Sequence, residues 1–383
     1  MDEREPTASS ILFVTWNFPP RRGGIEEMAW RLSEGLRRHA AVQVLTGRVH
    51  RNESSSERIA RSPLPGLLGF LVWLTWRLPL AFVRGEGSTV MSIGGLIGSF
   101  VEILARLAGR PHAVLVFGTD VTYPSRLYQR WLGWVLPGVP RLLAISEAVE
   151  AELTTRGLAR SAHVTRLTPG VDPSIVGLPR DESIATPAEP ILLFVGRIVE
   201  RKGLEPFIEH CLPRIVSRHA VRLWIVGDEP HDSLAHRAGA LADLRAKLAG
   251  SPLEPRIRFF GLASDSVLRA IYRVSHVLVL PAIRVPGDVE GFGIVFLEAA
   301  LFGVPAVSTR IGGIPDAVVD RETGILVEPG DWDGFADAVV ELLENEELHR
   351  ALGRRARERA LSEYDWRSIS ARCHEILREI RRE

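Results

Sequence analysis

The sequence has few cysteines and no excess of either charge, and these absences exclude whole classes of protein. Its 383 residues hold two cysteines, Cys211 and Cys373, too few for a disulfide framework or a cysteine-rich metal site. Lysine and arginine total 47, as do aspartate and glutamate, so bulk charge does not attract nucleic acid. With 46% apolar and 25% charged residues, disorder is excluded as the main state. The polar, acidic first residues do not resemble an export signal, so we expect a cytoplasmic protein.

Long apolar runs are also missing, with one exception at residues 64–76. As a helix, these 13 uncharged residues span roughly 20 Å, short of the roughly 30 Å hydrocarbon core of a membrane. We expect Pro79 to interrupt the apolar stretch that follows. Trp73 and Trp76 beside Arg77 suit an interfacial membrane contact, and a buried crossover helix explains the run equally well.

Strands alternate with helical patterns along the whole chain, which is typical of parallel sheets with crossover helices. At about 150 residues per domain, the chain is long enough for two domains. Residues 177–190, GLPRDESIATPAEP, are rich in proline and lack apolar periodicity, so we interpret them as a linker. We therefore predict an α/β protein with Rossmann-like, doubly wound domains at residues 1–176 and 191–363. A helix at residues 364–383 can cross back to the first domain.

The segment after the linker places two cations in one loop. The sequence ILLFVGRIVERKG, residues 191–203, predicts a buried strand, then Gly196, and then Arg197 and Lys202 before the next helix. In a parallel sheet such a loop faces the ligand crevice. The planar fork of arginine and the compact charge of lysine suit a diphosphate. Taken alone, the motif is also explained by two solvated loop cations.

Residues 283–316 combine two carboxylates with a glycine-rich turn. Glu290 closes a loop in Glu-Gly-Phe-Gly, and a helix is predicted from Ile294, so free backbone N–H groups form a candidate anion site. Glu298 falls in the apolar stretch IVFLEAALF, and we expect it to be buried. A buried carboxylate needs hydrogen-bond donors, which sugar or ribose hydroxyls would supply. By their spacing alone, the two glutamates are more typical of a surface, and it is the apolar context of Glu298 that reverses this interpretation.

A Gly23-Gly24 pair ends the loop after the first predicted strand, in NFPPRRGGIEE, and a helix is predicted from Ile25. The pattern is not GxGxxG, so it is weak evidence for a dinucleotide site. Glycines at a helix start can admit a phosphate or a sugar, or they can simply form a turn.

Together these motifs resemble glycosyltransferase family 4, retaining enzymes with the GT-B fold, over nearly the whole chain. The matching segments lie in family order: PPRRGGIEE, AISEAVEAEL, TPGVD, FVGRIVERKG, IVGD, FFGLA, EGFGIVFLEA and GGIPD. The resemblance implies two Rossmann-like domains with the active site in the cleft between them. One segment departs from the family: VFGTD has Phe117 where histidine is common. Asp120 is then a candidate polar group on the acceptor side, or a helix cap.

The resemblance also implies roles for single residues. Arg197 and Lys202 match the pair that binds the diphosphate of the donor. Glu298 matches the carboxylate that holds the ribose, and Glu290 matches the acid beside the transferred sugar. The other matches are backbone positions in the donor site: Gly24, Phe292, Gly293 and Ile294.

The implied activity is the transfer of a hexose from a nucleotide-diphosphate sugar to an acceptor hydroxyl. The stretch GDVEGFGIVFLEA is most similar to mannosyltransferases that use GDP-mannose, including those that act on phosphatidylinositol. The aromatic and basic residues around Trp76 agree with a lipid-linked acceptor at the inner face of the cell membrane, and a glycan acceptor is also open. We expect no metal and no cofactor besides the nucleotide-sugar co-substrate. A UDP-sugar-dependent enzyme of the same fold and a non-catalytic sugar-nucleotide binding protein are the alternatives.

Overall fold

The chain forms two compact units, each built on one parallel β-sheet. The first unit consists of residues 1–170 with 366–383, and the second of residues 171–365. Residues 177–190 make contacts within the second unit, since Glu189 pairs with Arg222 at 2.9 Å and Arg269 donates to the Pro179 carbonyl at 3.1 Å. The computed structural model describes residues 10–21, 23–48, 56, 58–160, 163–179, 181–229 and 239–382.

The first unit has a seven-stranded sheet with the strand order β3-β2-β1-β4-β5-β6-β7. Its central strands are short apolar runs buried on both faces, as expected for a parallel sheet covered by helices. The strands are β1 Ser10–Thr15, β2 Ala41–Thr46, β3 Ile59–Arg61, β4 Thr89–Ile93, β5 His112–Val116, β6 Arg141–Ala144 and β7 Val164–Arg166. The helices are α1 Gly24–Leu36, α2 Gly66–Val83, α3 Gly95–Leu107, α4 Gly118–Thr122, α5 Arg126–Val135 and α6 Glu147–Thr155.

Helix α2 contains the apolar run, and it is longer than the sequence predicts. Its 18 residues continue through Pro79, so the expected interruption is wrong. Thr75, whose carbonyl loses its helical partner there, lies on the exposed side of the helix, where water can bond to it. By length and composition α2 could cross a membrane. One of its faces nevertheless lies in the core, where Phe70 and Trp73 pack with residues of β1, β2 and α3.

The opposite face of α2 is apolar and exposed. The side chains on this face are each at least half exposed. They are Leu68, Val72, Trp76 and Val83. We call these four residues the outer face of α2. The helix is therefore a crossover helix of the core that also presents apolar surface to its surroundings.

The second unit has a six-stranded sheet with the order β10-β9-β8-β11-β12-β13. The strands are β8 Ile191–Val195, β9 Arg222–Val226, β10 Ile257–Gly261, β11 Val277–Leu280, β12 Ala306–Thr309 and β13 Gly324–Val327. The helices are α7 Leu204–Pro206, α8 Leu212–Arg218, α9 Ala240–Leu248, α10 Asp265–Val274, α11 Ile294–Leu301, α12 Ile314–Ala317, α13 Trp332–Glu344 and α14 Glu346–Glu363. The prediction of two doubly wound parallel sheets is confirmed.

A last helix, α15 Trp366–Glu379, returns to the first unit and packs on α1. Gly35 of α1 lies against Ser370, and the rings of His39 and His374 stack with centroids 5.1 Å apart.

The strand order positions the functional residues. In each sheet the direction of winding reverses beside its first strand, between β1 and β4 and between β8 and β11. Ligands of doubly wound sheets bind outside the carboxyl ends of the strands at this point. The loops that follow β1, β4, β8 and β11 are therefore the places to look for a site.

Candidate functional site

The loops after β8 and β11 are held together by a close backbone approach. Gly203, with a φ of 66°, lies so near the carbonyl oxygen of Pro281 that a Cβ atom would overlap with it. The N–H of Ile283 donates to the carbonyl of Arg201 at 2.9 Å. Only glycine combines this left-handed backbone with such an approach. The final glycine of FVGRIVERKG therefore brings the two loops into contact.

Four charged side chains meet where these loops touch, and we call them the charge cluster: Arg201, Lys202, Asp288 and Glu290. Lys202 Nζ lies 2.8 Å from Glu290 Oε2. Arg201 donates to Asp288 Oδ1 at 2.9 Å and also to Glu290 Oε2. Arg201 and Lys202 are 6% exposed and Glu290 is 8% exposed. Charged groups are rarely so buried unless they are paired, as these are.

The electrostatics of the cluster favour additional negative charge. Burial raises the pKa of the Glu290 carboxyl, but Lys202 and Arg201, with Arg197 beyond them, outweigh burial and lower this pKa to about 2. The pKa of Lys202 is also lowered, because burial and the charges of Arg201 and Arg197 outweigh its attraction to Glu290. An anion placed near Lys202 would offset that destabilisation of its charged form.

Three cations contribute to this region. Arg197, Arg201 and Lys202 all act on the Glu290 carboxylate, and Arg201 also pairs with Asp288. Arg197 is exposed, whereas the other two cations are buried. Together they suit a phosphate group bound by charge-assisted hydrogen bonds. Among the described residues, no three histidine, cysteine, aspartate or glutamate side chains are grouped as metal ligands.

Sequence reasoning did not single out Arg201 or Asp288. The run Glu200–Lys202 forms a single 3₁₀ turn, and this turn directs both Arg201 and Lys202 into the interior. Two successive charged residues in a loop usually lie in solvent. The glycine that ends the turn was the one sequence signal that the loop is tightly packed.

The glycine-rich turn leads into α11, as predicted. Gly293, with a φ of 85°, precedes the helix start at Ile294, and no side chain caps this end. On the other side, the N–H of Gly313 donates to the Glu290 carbonyl at 2.9 Å. Phe292 is buried. The structure thus places Phe292, Gly293 and Ile294 beside Glu290, and their contacts with a donor stay predictions.

Glu298 of α11 is only partly buried, so the expectation of a buried carboxylate is wrong. One of its donors is a protein hydroxyl: Tyr272 on α10 donates to Glu298 Oε2 at 2.8 Å. Burial, and then the charge of Glu298, raise the pKa of Tyr272 well above its usual range. Tyr272 therefore stays a donor and orients the carboxylate, which remains partly accessible. The sequence offered no signal that linked these two residues.

The two predicted site residues of the first unit lie at the carboxyl ends of its strands. Gly24 begins α1 after the loop that follows β1. Asp120 follows β5, and its Oδ2 accepts a hydrogen bond from the Phe117 N–H at 3.0 Å. Burial raises the pKa of Asp120 to about 6, although the N–H groups of Phe117 and Gly95 act to lower it. Asp120 therefore does cap a helix start, which was one of its two predicted roles.

Comparisons with known proteins identify the family of the chain. The model described as Glycosyltransferase Family 4 matches residues 22–175, and the model described as Glycosyl transferases group 1 matches residues 189–345. A curated relative from Mycolicibacterium smegmatis is 30% identical over 96% of this chain and 98% of its own length. It is named GDP-mannose-dependent alpha-(1-6)-phosphatidylinositol monomannoside mannosyltransferase.

Solved structures share the fold along the whole chain. Sucrose-phosphate synthase from Thermosynechococcus elongatus has a TM-score of 0.80 at 20% identity, covering 97% of this chain and 99% of that one. The Anabaena protein HepE in complex with UDP-glucose has a TM-score of 0.75 at 18% identity, with coverage of 97% and 99%. At these identities the likeness concerns the fold.

Proposed function

The chain belongs to glycosyltransferase family 4 and has the two parallel-sheet domains of the GT-B fold; from this premise we propose that it transfers mannose from GDP-mannose to a lipid-linked or glycan acceptor of the cell envelope. The observation that carries this proposal is the charge cluster with Arg197, in which three cations from the loop after β8 act on the buried Glu290 carboxylate. Such cations would stabilise a nucleoside diphosphate leaving group.

The proposed reaction retains the configuration of the sugar. The acceptor oxygen forms a bond to the anomeric carbon on the face from which the diphosphate leaves, while the bond from that carbon to the diphosphate oxygen breaks. A phosphate oxygen of the donor takes the acceptor proton. Arg197 and Lys202 stabilise the charge on the departing diphosphate, and the protein's part is otherwise to position the reactants. No metal is expected in this step.

The carboxylates have separate roles in this proposal. With a pKa of about 2, Glu290 is ionised at neutral pH, so it accepts hydrogen bonds from the transferred sugar and does not donate a proton. Glu298, oriented by Tyr272, accepts hydrogen bonds from the ribose hydroxyls. In this proposal Phe292, Gly293 and Ile294 supply the backbone around the sugar and phosphates, and Gly24 remains a predicted donor-binding position.

A thermal-shift comparison of GDP, UDP and ADP tests the choice of donor. At 100 times its dissociation constant, the matching nucleotide should add about 2.7 kcal/mol to the free energy of unfolding. We expect the largest rise in melting temperature with GDP, and release of free GDP when GDP-mannose and an acceptor are supplied. A larger shift with UDP would favour a UDP-sugar enzyme, for which the likeness in fold to a protein holding UDP-glucose is the support. Nucleotide binding without turnover on any acceptor would favour the non-catalytic alternative.

We further propose that the protein acts in the cytoplasm at the inner face of the membrane. The outer face of α2 is apolar surface that the first unit does not cover, and exposed Arg84 follows it directly. Apolar side chains with a flanking cation are typical of contact with an anionic bilayer surface. The named substrate of the M. smegmatis relative, a phosphatidylinositol mannoside, supports the same assignment.

Vesicle sedimentation tests this contact. Replacing Trp76, which is 52% exposed, by serine should reduce the fraction of protein that pellets with anionic vesicles several-fold. Leu107→Ser, at an apolar site at the end of α3 that is 81% exposed, is the control and should leave pelleting unchanged. Equal pelleting of wild type and W76S would contradict the membrane role of α2. Trp73 is unsuitable for this test, because it is buried in the core.

A further inference from the structure

Three arginines lie at the carboxyl edge of the first sheet and have no part in the proposed donor site. Arg21 is in the loop after β1, Arg48 follows β2, and Arg61 ends β3. These strands are neighbours in the sheet, so the three residues belong to one stretch of its edge. The same edge carries the loop that leads to Gly24.

Trp16, the first residue after β1, organises this region. The guanidinium carbon of Arg21 lies over its ring, 4.3 Å from the centroid. Gly47, next to Arg48, packs so closely on the indole that a Cβ atom would overlap with it. Arg61 contacts the same loop, because its Nη2 donates a hydrogen bond to the Pro19 carbonyl at 2.8 Å. We call Trp16, Arg21, Arg48 and Arg61 the arginine pocket.

Two of these arginines carry hydrogen-bond donors that no described residue satisfies. The Nε atoms of Arg21 and Arg48 are buried and have no acceptor among the described residues. Glu26, a carboxylate of the same loop region, accepts a hydrogen bond from Asn17 Nδ2 at 2.6 Å. A buried donor without an acceptor is costly, and an anion that brings several oxygens would remove that cost.

A row of packed aromatic rings connects Trp16 with the outer face of α2. Trp16 packs on Phe70 with centroids 5.6 Å apart, Phe70 on Trp73 at 6.0 Å, and Trp73 on Trp76 at 6.3 Å. This row of rings leads from the arginines through the core to the exposed Trp76. A molecule with an anionic head and apolar chains therefore has matching surfaces at both ends of the row.

We infer that the arginine pocket binds the phosphate ester of the acceptor, so that the acceptor is an anionic, phosphate-bearing molecule. This inference rests on the proposed transferase function and specifies its acceptor. Guanidinium groups bind phosphate oxygens through paired hydrogen bonds, which a neutral acceptor cannot accept with the same strength. A phosphodiester of a membrane lipid and a soluble sugar phosphate share this chemistry.

The test measures binding to vesicles while saturating GDP occupies the donor site. The probes are phosphatidylcholine vesicles with and without phosphatidylinositol, and soluble glycerol 3-phosphate. We expect the double variant R21Q/R48Q to lose affinity for phosphatidylinositol vesicles by about tenfold or more, as loss of charge-assisted hydrogen bonds predicts. The matched control R38Q removes an exposed cation that follows α1 and should leave this affinity unchanged. The variant R21K/R48K, which keeps the charge, should recover part of the affinity.

The outcomes separate this inference from the proposed function. If R21Q/R48Q binds both vesicle types like wild type while GDP still binds, the arginine pocket is wrong and the transferase proposal stands. If wild type does not bind any nucleotide, the transferase proposal itself fails. Glycerol 3-phosphate binding that depends on the same arginines supports recognition of the phosphate ester alone, and binding to phosphatidylinositol vesicles only supports a lipid acceptor.

Discussion

Replacing Lys202 with alanine should lower the turnover number by about 10²- to 10³-fold, the usual cost of removing one preorganised group from a developing negative charge. Lys202 is buried, and its amine is 2.8 Å from Glu290 in a cluster where burial and the charge of Arg201 lower the pKa of Lys202. The diphosphate carries more charge as it leaves than while it is bonded to the sugar, so the lysine stabilises the transition state more than the bound donor. The measurement is steady-state release of GDP at saturating donor and acceptor.

The chain supplies a matched control for this variant. Lys247 is the only other lysine, and it lies on the surface, where it pairs with Glu205 and Glu209. We expect K247A to keep the turnover of wild type. Equal turnover in K202A and wild type would contradict the assigned role of Lys202. A rise in the Michaelis constant alone would mean that Lys202 contributes only to ground-state binding.

Replacing Glu290 with alanine should lower the free energy of unfolding by about 3–5 kcal/mol, because it leaves buried cations without their partner. Both Arg201 and Lys202 lose their contact with Glu290, and Asp288 alone remains to neutralise them. Urea denaturation of wild type and variant measures the difference. GDP should stabilise the variant, because a bound diphosphate replaces part of the lost negative charge.

An exposed pair provides the control for this prediction. Glu205 pairs with Lys247 on the surface, so E205A should cost no more than about 1 kcal/mol. If E290A were as stable as E205A, the charge cluster would not contribute to folding. The same ion pairs predict a pH dependence: the pKa of Glu290 falls from 4.5 to about 2 on folding. Its stabilising contribution is therefore complete above pH 4.5 and is lost as the pH falls through about 2.

Much of the architecture was predictable because it depends on residues close in sequence. Short apolar strands followed by glycine loops and helices predicted the two parallel sheets, and the edge at which the loops gather follows from that order. The loop holding Arg197 and Lys202 and the turn from Glu290 to Ile294 were therefore predicted to lie at a ligand edge. Membership of the family is confirmed by the comparisons.

The predictions that failed concern how much of a side chain or backbone group is exposed. Pro79 was expected to interrupt α2, but the carbonyl that it leaves unpaired belongs to Thr75 on the exposed side of the helix. Glu298 was expected to be buried because its neighbours in sequence are apolar. It lies at the edge of the packed face instead, within reach of Tyr272. Both outcomes depend on which side of a helix meets the rest of the unit.

Local sequence alone therefore accounts for the order of strands, loops and helices, and for the kind of chemistry that each loop can perform. It does not account for the pairing of charges, because the partners are far apart along the chain: Arg201 reaches Glu290 across 89 residues and Asp288 across 87. The interaction between a cation and a carboxylate is weak when both are exposed to water, and it is much stronger when the pair is buried. The pairing of β8 with β11 brings the two loops together, so that Arg201 and Lys202 are buried while Arg197 is exposed.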